Sequence, residues 1–346
     1  MSIMNAKQLA RQLAGGKIER AYMFYGEEGY LKRHYYETLK DAVLSGGAKE
    51  FNLTVLEGSE FSPQQLVDAL GSMPVFSEKR LVVVRDLELS SLKKELRALF
   101  EQVLETLPET AVLLLYERTV NVDEKLARPA EIIKLFERFG AAVRFDTPGQ
   151  AELCRWAERH LSQQGKTADP ATLRYLLSVT DNGMTSLYNE LTKLCHYVPG
   201  ERVTRRDIDE VVTKSTEAML YHLTDAVIER RPARALELLA QLFFQRTDEV
   251  VIVGGVAREL ISLYKVRAAA AEGMLPAQIA KSFGLRDFAV RRYLNAAKTF
   301  SDSALMEALR VCLDADQSLK TENRDKRLIV ETMLGELVRT LGGQGA

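Results

Sequence analysis

The chain has 346 residues, 46% apolar and 27% charged, a balance that excludes disordered, collagenous and membrane-spanning classes and leaves a globular protein of two or three domains. With 47 basic against 48 acidic residues the net charge is −1, so there is no global attraction for nucleic acid, and any DNA contact is local or shared with partners. No apolar run reaches the roughly eighteen residues of a membrane helix, and Met1 to Arg20 carries Lys7, Arg11, Lys17 and Glu19 in an amphipathic pattern unlike a signal peptide, so cytoplasmic residence is expected.

Short apolar runs at Ala21 to Tyr25, Phe51 to Leu56, Leu81 to Arg85, Ala111 to Tyr116 and Ala142 to Phe145 alternate with stretches of helical spacing. This rhythm predicts a five-stranded parallel sheet over residues 1–147. Runs such as Leu81 to Val84 and Val112 to Leu115 are apolar on consecutive residues, so helices should cover both sheet faces. After Thr147-Pro148-Gly149 the strand signal stops. Leu153, Trp156, Ala157, His160 and Leu161 share one helical face and open a small helical domain, 148–213, with breaks at Asp181-Asn182-Gly183 and Pro199-Gly200. From 214 to 346 the pattern is all-helical, including a long helix near Glu249 to Ala271. None of the three regions is strongly basic. Cys154, Cys195 and Cys312 are scattered and odd in number, and read as buried, reduced thiols rather than a disulfide or zinc framework.

The first predicted strand runs into Tyr25-Gly26-Glu27-Glu28-Gly29-Tyr30-Leu31-Lys32-Arg33, in the place of a phosphate-binding loop. Such a loop needs two glycines whose amides cradle phosphates, then a lysine and a hydroxyl for magnesium. Gly26 and Lys32 stand in register, but Leu31 replaces the second glycine and Arg33 the hydroxyl. Glu27 and Glu28 add negative charge where a triphosphate would lie, so neither nucleotide nor metal is expected to bind. The simpler alternative is that Gly26 turns the chain and Lys32 is a solvated helical residue.

Several segments, in order, resemble the delta-subunit family of the bacterial DNA polymerase III clamp loader. They are Tyr25-Gly26-Glu27; Ser72-Met73-Pro74-Val75-Phe76-Ser77-Glu78-Lys79-Arg80 leading into Leu81 to Val84; Thr147 to Leu153 before Arg155-Trp156; Gly183 with the helix after it; and Asp314 to Lys320. The resemblance implies an AAA+-like sheet domain (1–147), a helical lid (148–213) and a C-terminal helical collar (214–346). It implies a ring with delta prime and the tau or gamma subunits, surrounding primer-template DNA in the replisome at the nucleoid. It also implies that the chain binds and opens the beta sliding clamp without hydrolysing ATP, and has no catalytic residue, cofactor or metal. The polymerase label of this family, a nucleotidyltransferase one, then describes the holoenzyme rather than this chain. Consistent with that, the third predicted strand ends Val84-Arg85-Asp86-Leu87, where an active AAA+ enzyme carries an Asp-Glu pair.

In this family a short helix before that strand presents an apolar pair to a pocket on the clamp. Val75 and Phe76 hold the matching positions, flanked by Met73 and Pro74, although the family more often has Leu before the Phe. By pattern alone, Met73, Val75 and Phe76 fit ordinary core beside a strand; the resemblance assigns them to the clamp. Lys320, Arg324, Lys326 and Arg327 are candidates for DNA contact, or solvated charges at a helix start.

A competing reading comes from Pro276 to Leu285, continued by Val290, whose spacing resembles a helix-turn-helix with Arg286, Arg291 and Arg292 available for phosphates. It would make the chain a DNA-binding regulator with an inactive NTPase-like domain. An enzyme reading finds little support: Asp207/Asp209 and Asp314/Asp316 are spaced to point apart on helices, and His34, His160, His196 and His222 are isolated. His160 reads as a packed histidine.

Overall fold

The computed structural model describes all residues except 1–2, 46–47, 121, 181–182, 286 and 343–346. In chain order the elements are β1 (Met4–Asn5), α1 (Ala6–Ala14), β2 (Ala21–Tyr25), α2 (Gly29–Val43), β3 (Leu53–Glu57), α3 (Pro63–Gly71), β4 (Arg80–Arg85), α4 (Lys94–Glu105), β5 (Ala111–Tyr116), α5 (Ala127–Phe139) and β6 (Ala141–Arg144). Helices α6 (Gln150–Gln163), α7 (Pro170–Val179), α8 (Met184–Tyr197) and α9 (Arg205–Val211) follow. The rest is α10 (Thr216–Ile228), α11 (Pro232–Phe244), α12 (Glu249–Ala271), α13 (Pro276–Phe283), α14 (Asp287–Ala297), α15 (Asp302–Thr321) and α16 (Lys326–Gly342). Two compact units result: Met1–Ala168 with Asn182–His196, and Asp169–Asp181 with Tyr197–Ala346. Residues 148–213, expected to form one helical domain, contribute α6 and nearly all of α8 to the first unit and α7 and α9 to the second.

The first unit is built on a parallel sheet in the order β1-β6-β2-β5-β4-β3. It has six strands rather than five, because Met4–Asn5 adds a two-residue edge beside β6, too short to leave a periodic signal. Alternate strand residues serve opposite faces. Met23, Val82, Val84, Leu113 and Leu115 pack with Leu66 and Leu70 of α3, Phe100 of α4 and Phe136 of α5. Tyr22, Phe24, Val83, Val112 and Leu114 pack with Leu9 of α1 and with Tyr36 and Leu39 of α2. Both faces are thus dry, which explains the continuous apolar runs of β4 and β5. The chain leaves β2 between β5 and β6, the strands of later connections, so the loop after Tyr25 sits at a switch point of the sheet.

In the second unit, α10 to α16 share one apolar core. Helix α12 runs through it, with Ile252, Val256, Leu260, Leu263 and Val266 fully buried. Helices α7 and α9 are tied by Tyr175, whose hydroxyl donates to Asp209 at 2.6 Å while Arg205 lies over its ring. No helix among the described residues is long and apolar enough to cross a membrane. Of the cysteines only Cys312 is buried; Cys154 and Cys195 are half-buried, and none of the three is in a disulfide.

Candidate partner-binding tip and the loop after the second strand

Helix α3 begins cleanly, with Ser62 and Gln65 exchanging capping bonds and Pro63 in the first turn. It ends at Gly71. Ser72 turns to an extended conformation while its amide and hydroxyl both donate to the Asp68 carbonyl, and Pro74 keeps the residue before it out of the helical region. Met73 to Phe76 therefore form a tip of turns beyond the helix end, not a short helix of their own. The core alternative for these residues does not hold: Phe76 is 89% exposed, Met73 76% and Val75 42%, with Pro74 half-buried. Phe76 also has φ of +50°, a left-handed conformation unusual for an aromatic residue.

The tip is fastened from below by Asn52, which is 1% exposed. Its Oδ1 accepts from the Val75 amide at 2.7 Å, and its Nδ2 donates to the Val75 carbonyl at 2.7 Å and to the Ala48 carbonyl at 3.2 Å. An amide N–H can only donate and a carbonyl can only accept, so the orientation of the Asn52 side chain is fixed by its partners. Sequence reasoning misses Asn52, because it stands inside an apolar run that reads as strand from Phe51. In fact Lys49 to Asn52 form a 3₁₀ turn, β3 starts at Leu53, and Phe51 is 74% exposed.

The loop after β2 is closed by the chain's own groups. Gly26 has φ of +111°, and a Cβ there would lie 2.6 Å from the Phe145 carbonyl oxygen, so the glycine serves close packing against the end of β6. Glu28 is buried; its Oε1 accepts from the Tyr30 amide at 3.0 Å and its Oε2 from the Met184 amide at 3.3 Å. A carboxylate thus occupies the N-terminus of α2, where amides and dipole favour an anion. Lys32 is 3% exposed and points inward: Nζ donates to the Glu117 carbonyl at 2.7 Å and to the Arg118 carbonyl at 3.3 Å. The reading of Lys32 as a solvated residue is therefore wrong. Burial lowers its pKa, against the nearby charges of Asp86, Glu117 and Glu28. Leu31 is half-buried and Arg33 exposed on the same helix.

Asp86, after β4, is engaged as well. Its Oδ1 accepts from the amides of Arg118 at 2.6 Å and Thr119 at 2.7 Å. Burial pushes its pKa up, but the bonds from Thr119 and Arg118 prevail and hold it below the usual range. The second acid here is Glu117, which in sequence looks like no more than the residue after a strand. It is fully buried, and neither carboxyl oxygen has a hydrogen-bond partner of good geometry. Burial, reinforced by the charge of Asp86, pushes its pKa up to about 8, and the nearby Leu87 amide and Lys32 offset this only in part.

Two family models match this chain: DNA polymerase III, delta subunit, over residues 22–145, and the C-terminal domain of the DNA polymerase III delta subunit over residues 217–337. The chain belongs to the DNA polymerase III delta-subunit family. It is 22% identical to DNA polymerase III subunit delta of Bacillus subtilis over 337 residues, covering 95% of this chain and 96% of that one. The Escherichia coli subunit delta is 25% identical over 182 residues, 52% of each chain. The solved DNA clamp loader delta protein of Bacillus subtilis has the same fold, with a TM-score of 0.59 over 96% of this chain and 99% of that one at 22% identity. Membership in the delta family makes the chain a clamp-loader component of the polymerase III assembly.

Within this delta-family chain the other candidates divide. Lys320 pairs with Asp316 at 2.6 Å, Arg324 with Glu322, and Arg327 with Glu331 at 3.0 Å. Among the described residues, Lys326 alone of the four has no such pair. In the helix-turn-helix candidate, Gly284 does turn α13 into α14 with φ of +64°, but Val290 and Tyr293 are buried. Arg292 is not available to phosphates: it pairs with Glu259 at 2.9 Å and Asp225 at 3.2 Å and contacts the rings of Tyr221 and Tyr293. Arg291 is exposed, and Arg286 lies outside the described residues. Asp207 caps α9 through Thr204, whereas Asp209 pairs with Lys214, so the two acids do point apart. No acid, histidine and cysteine grouping suited to a metal exists among the described residues. His160 packs beside Trp156 and Tyr188, and burial lowers its pKa.

Proposed function

We propose that this delta-family chain binds the beta sliding clamp through Met73, Pro74, Val75 and Phe76 and favours its open form, without hydrolysing ATP itself. The observation that carries this reading is an aromatic side chain, 89% exposed, held in a left-handed conformation on a fastened tip. Leaving Phe76 in water is costly unless something covers it. Seating it in a pocket removes apolar surface worth roughly 1.5–3 kcal/mol, and aromatic anchors of this kind dominate many interfaces. Met73, flexible and polarizable, supplies adaptable contact beside it.

Attachment alone does not open a ring. A ligand shifts a conformational equilibrium only by its differential affinity for the two states, so the surface around the tip must fit the open clamp better than the closed one. The ATP that drives loading is supplied by other subunits. In this chain Glu28 occupies the N-terminus of α2, Lys32 is turned inward, and Asp86 is bonded to the amides after β5, which supports a cradle without a nucleotide. The helical region 214–346 is assigned to ring assembly with delta prime and the tau or gamma subunits, and Lys320, Arg324, Lys326 and Arg327 are its candidates for primer-template DNA.

Titration of the purified chain with sliding clamp tests the reading. Phe76→Ala should abolish measurable binding while changing folding stability by less than about 0.5 kcal/mol, because an exposed side chain contributes little to the fold. Undiminished clamp affinity in that variant would remove Phe76 from the interface and the proposal with it.

A further inference from the structure

We infer that Asn52 is a positioning residue for clamp recognition, holding the tip in its binding shape before the clamp arrives. The inference rests on the clamp-binding reading of Met73 to Phe76. Asn52 lies 23 residues before Val75 in sequence, yet its side chain saturates both backbone polar groups of that residue. It does so from the buried side, leaving the side chains of Val75 and Phe76 outward. Its third bond, to Ala48, anchors the amide to the turn that precedes β3.

The fastener matters because of what it restrains. Phe76, immediately after Val75, occupies a φ that an aromatic residue adopts reluctantly, and no helix or strand bonds hold Met73 to Phe76. Freed from Asn52, the tip relaxes to ordinary backbone conformations and re-aims the Phe76 ring. Only a fraction of free molecules would then present the binding shape, and apparent affinity falls in proportion to that fraction. The two bonds therefore act on recognition by cutting the ordering cost of association, not by touching the partner.

Asn52→Ala leaves the Val75 carbonyl and amide without partners and should weaken clamp binding about tenfold or more, the loss of a little over one hydrogen bond's net worth. Stopped-flow association of chain and clamp should place this loss in the association rate, with the dissociation rate little changed. Asn52→Ser, shorter but still polar, keeps the test open should the alanine variant fold poorly. Stability of each variant is followed by thermal melting, so that a lower folded fraction is counted separately. Folded Asn52 variants that associate at the parent rate overturn the inference, provided Phe76→Ala still loses binding. If Phe76→Ala binds normally, the clamp reading of the tip fails first and the Asn52 inference goes with it. If the loss falls on dissociation alone, Asn52 is part of the contact and its positioning role is refuted.

Discussion

Lys32 in α2 and Glu117 after β5 are both buried, and their side chains meet different fates. Lys32 keeps the register of a phosphate-binding lysine but donates to two backbone carbonyls instead. Glu117, beside it, is buried without a well-formed hydrogen bond to its carboxyl, and its pKa of about 8 lies above the ordinary 4.5 of a free glutamate. Because the folded-state value is the higher one, folding favours the protonated acid. The contribution is fully present below about pH 4.5 and is lost as pH rises towards about 8. Above that, the ionised carboxyl costs the fold on the order of 5 kcal/mol relative to the protonated form. Thermal melts of the parent should therefore fall between pH 5 and 8, and Glu117→Gln should flatten the fall. An equal slope in both proteins would mean that Glu117 is solvated.

At the scale of elements, the pair α13–α14 decides between a groove reader and a packed hairpin. Arg292 lies over two tyrosine rings and is ion-paired to α10 and α12, while Arg291, its neighbour, is exposed. Removing Arg292 from this partly buried network leaves Asp225 and Glu259 uncompensated, at a cost of up to about 3–5 kcal/mol, the figure for a fully buried pair. Arg292→Ala should thus lower the chemical-denaturation midpoint sharply, and Arg291→Ala should leave it within about 0.5 kcal/mol. A groove reader would behave the other way, both arginines being dispensable for folding. The capped end of α2 belongs to the same scale: Glu28 supplies from within the chain the anion that a phosphate loop takes from solution.

Across the chain, five of the six strands and the long helix α12 were legible, because buried strands write continuous apolar runs and turn-formers mark the breaks. The edge strand β1 was not, since two residues carry no period. Nor was the sharing of residues 148–213 between two units, because helical spacing shows which face is buried without saying against what. The same limit hid Asn52, a polar residue whose role depends on a partner 23 positions away, and kept Lys32 and Glu117 from being seen as neighbours. The exposure of Phe76 was not legible in the pattern around it, which equally fits a core. A ligand present at a hundred times its dissociation constant adds about 2.7 kcal/mol to stability, so a nucleotide site would show in melting. Millimolar magnesium-ATP should leave the melting temperature unchanged.

The inward turn of Lys32 has a chemical consequence as well. It is the one buried lysine among the described residues, and its amine is held by carbonyls with its pKa lowered by burial. An amine-acylating reagent applied to the native chain should modify the exposed lysines and pass over this one, which would react only after unfolding. Peptide mass mapping of the acylated chain, alone and within the clamp-loader assembly, would then report whether assembly pries the region around Lys32 open.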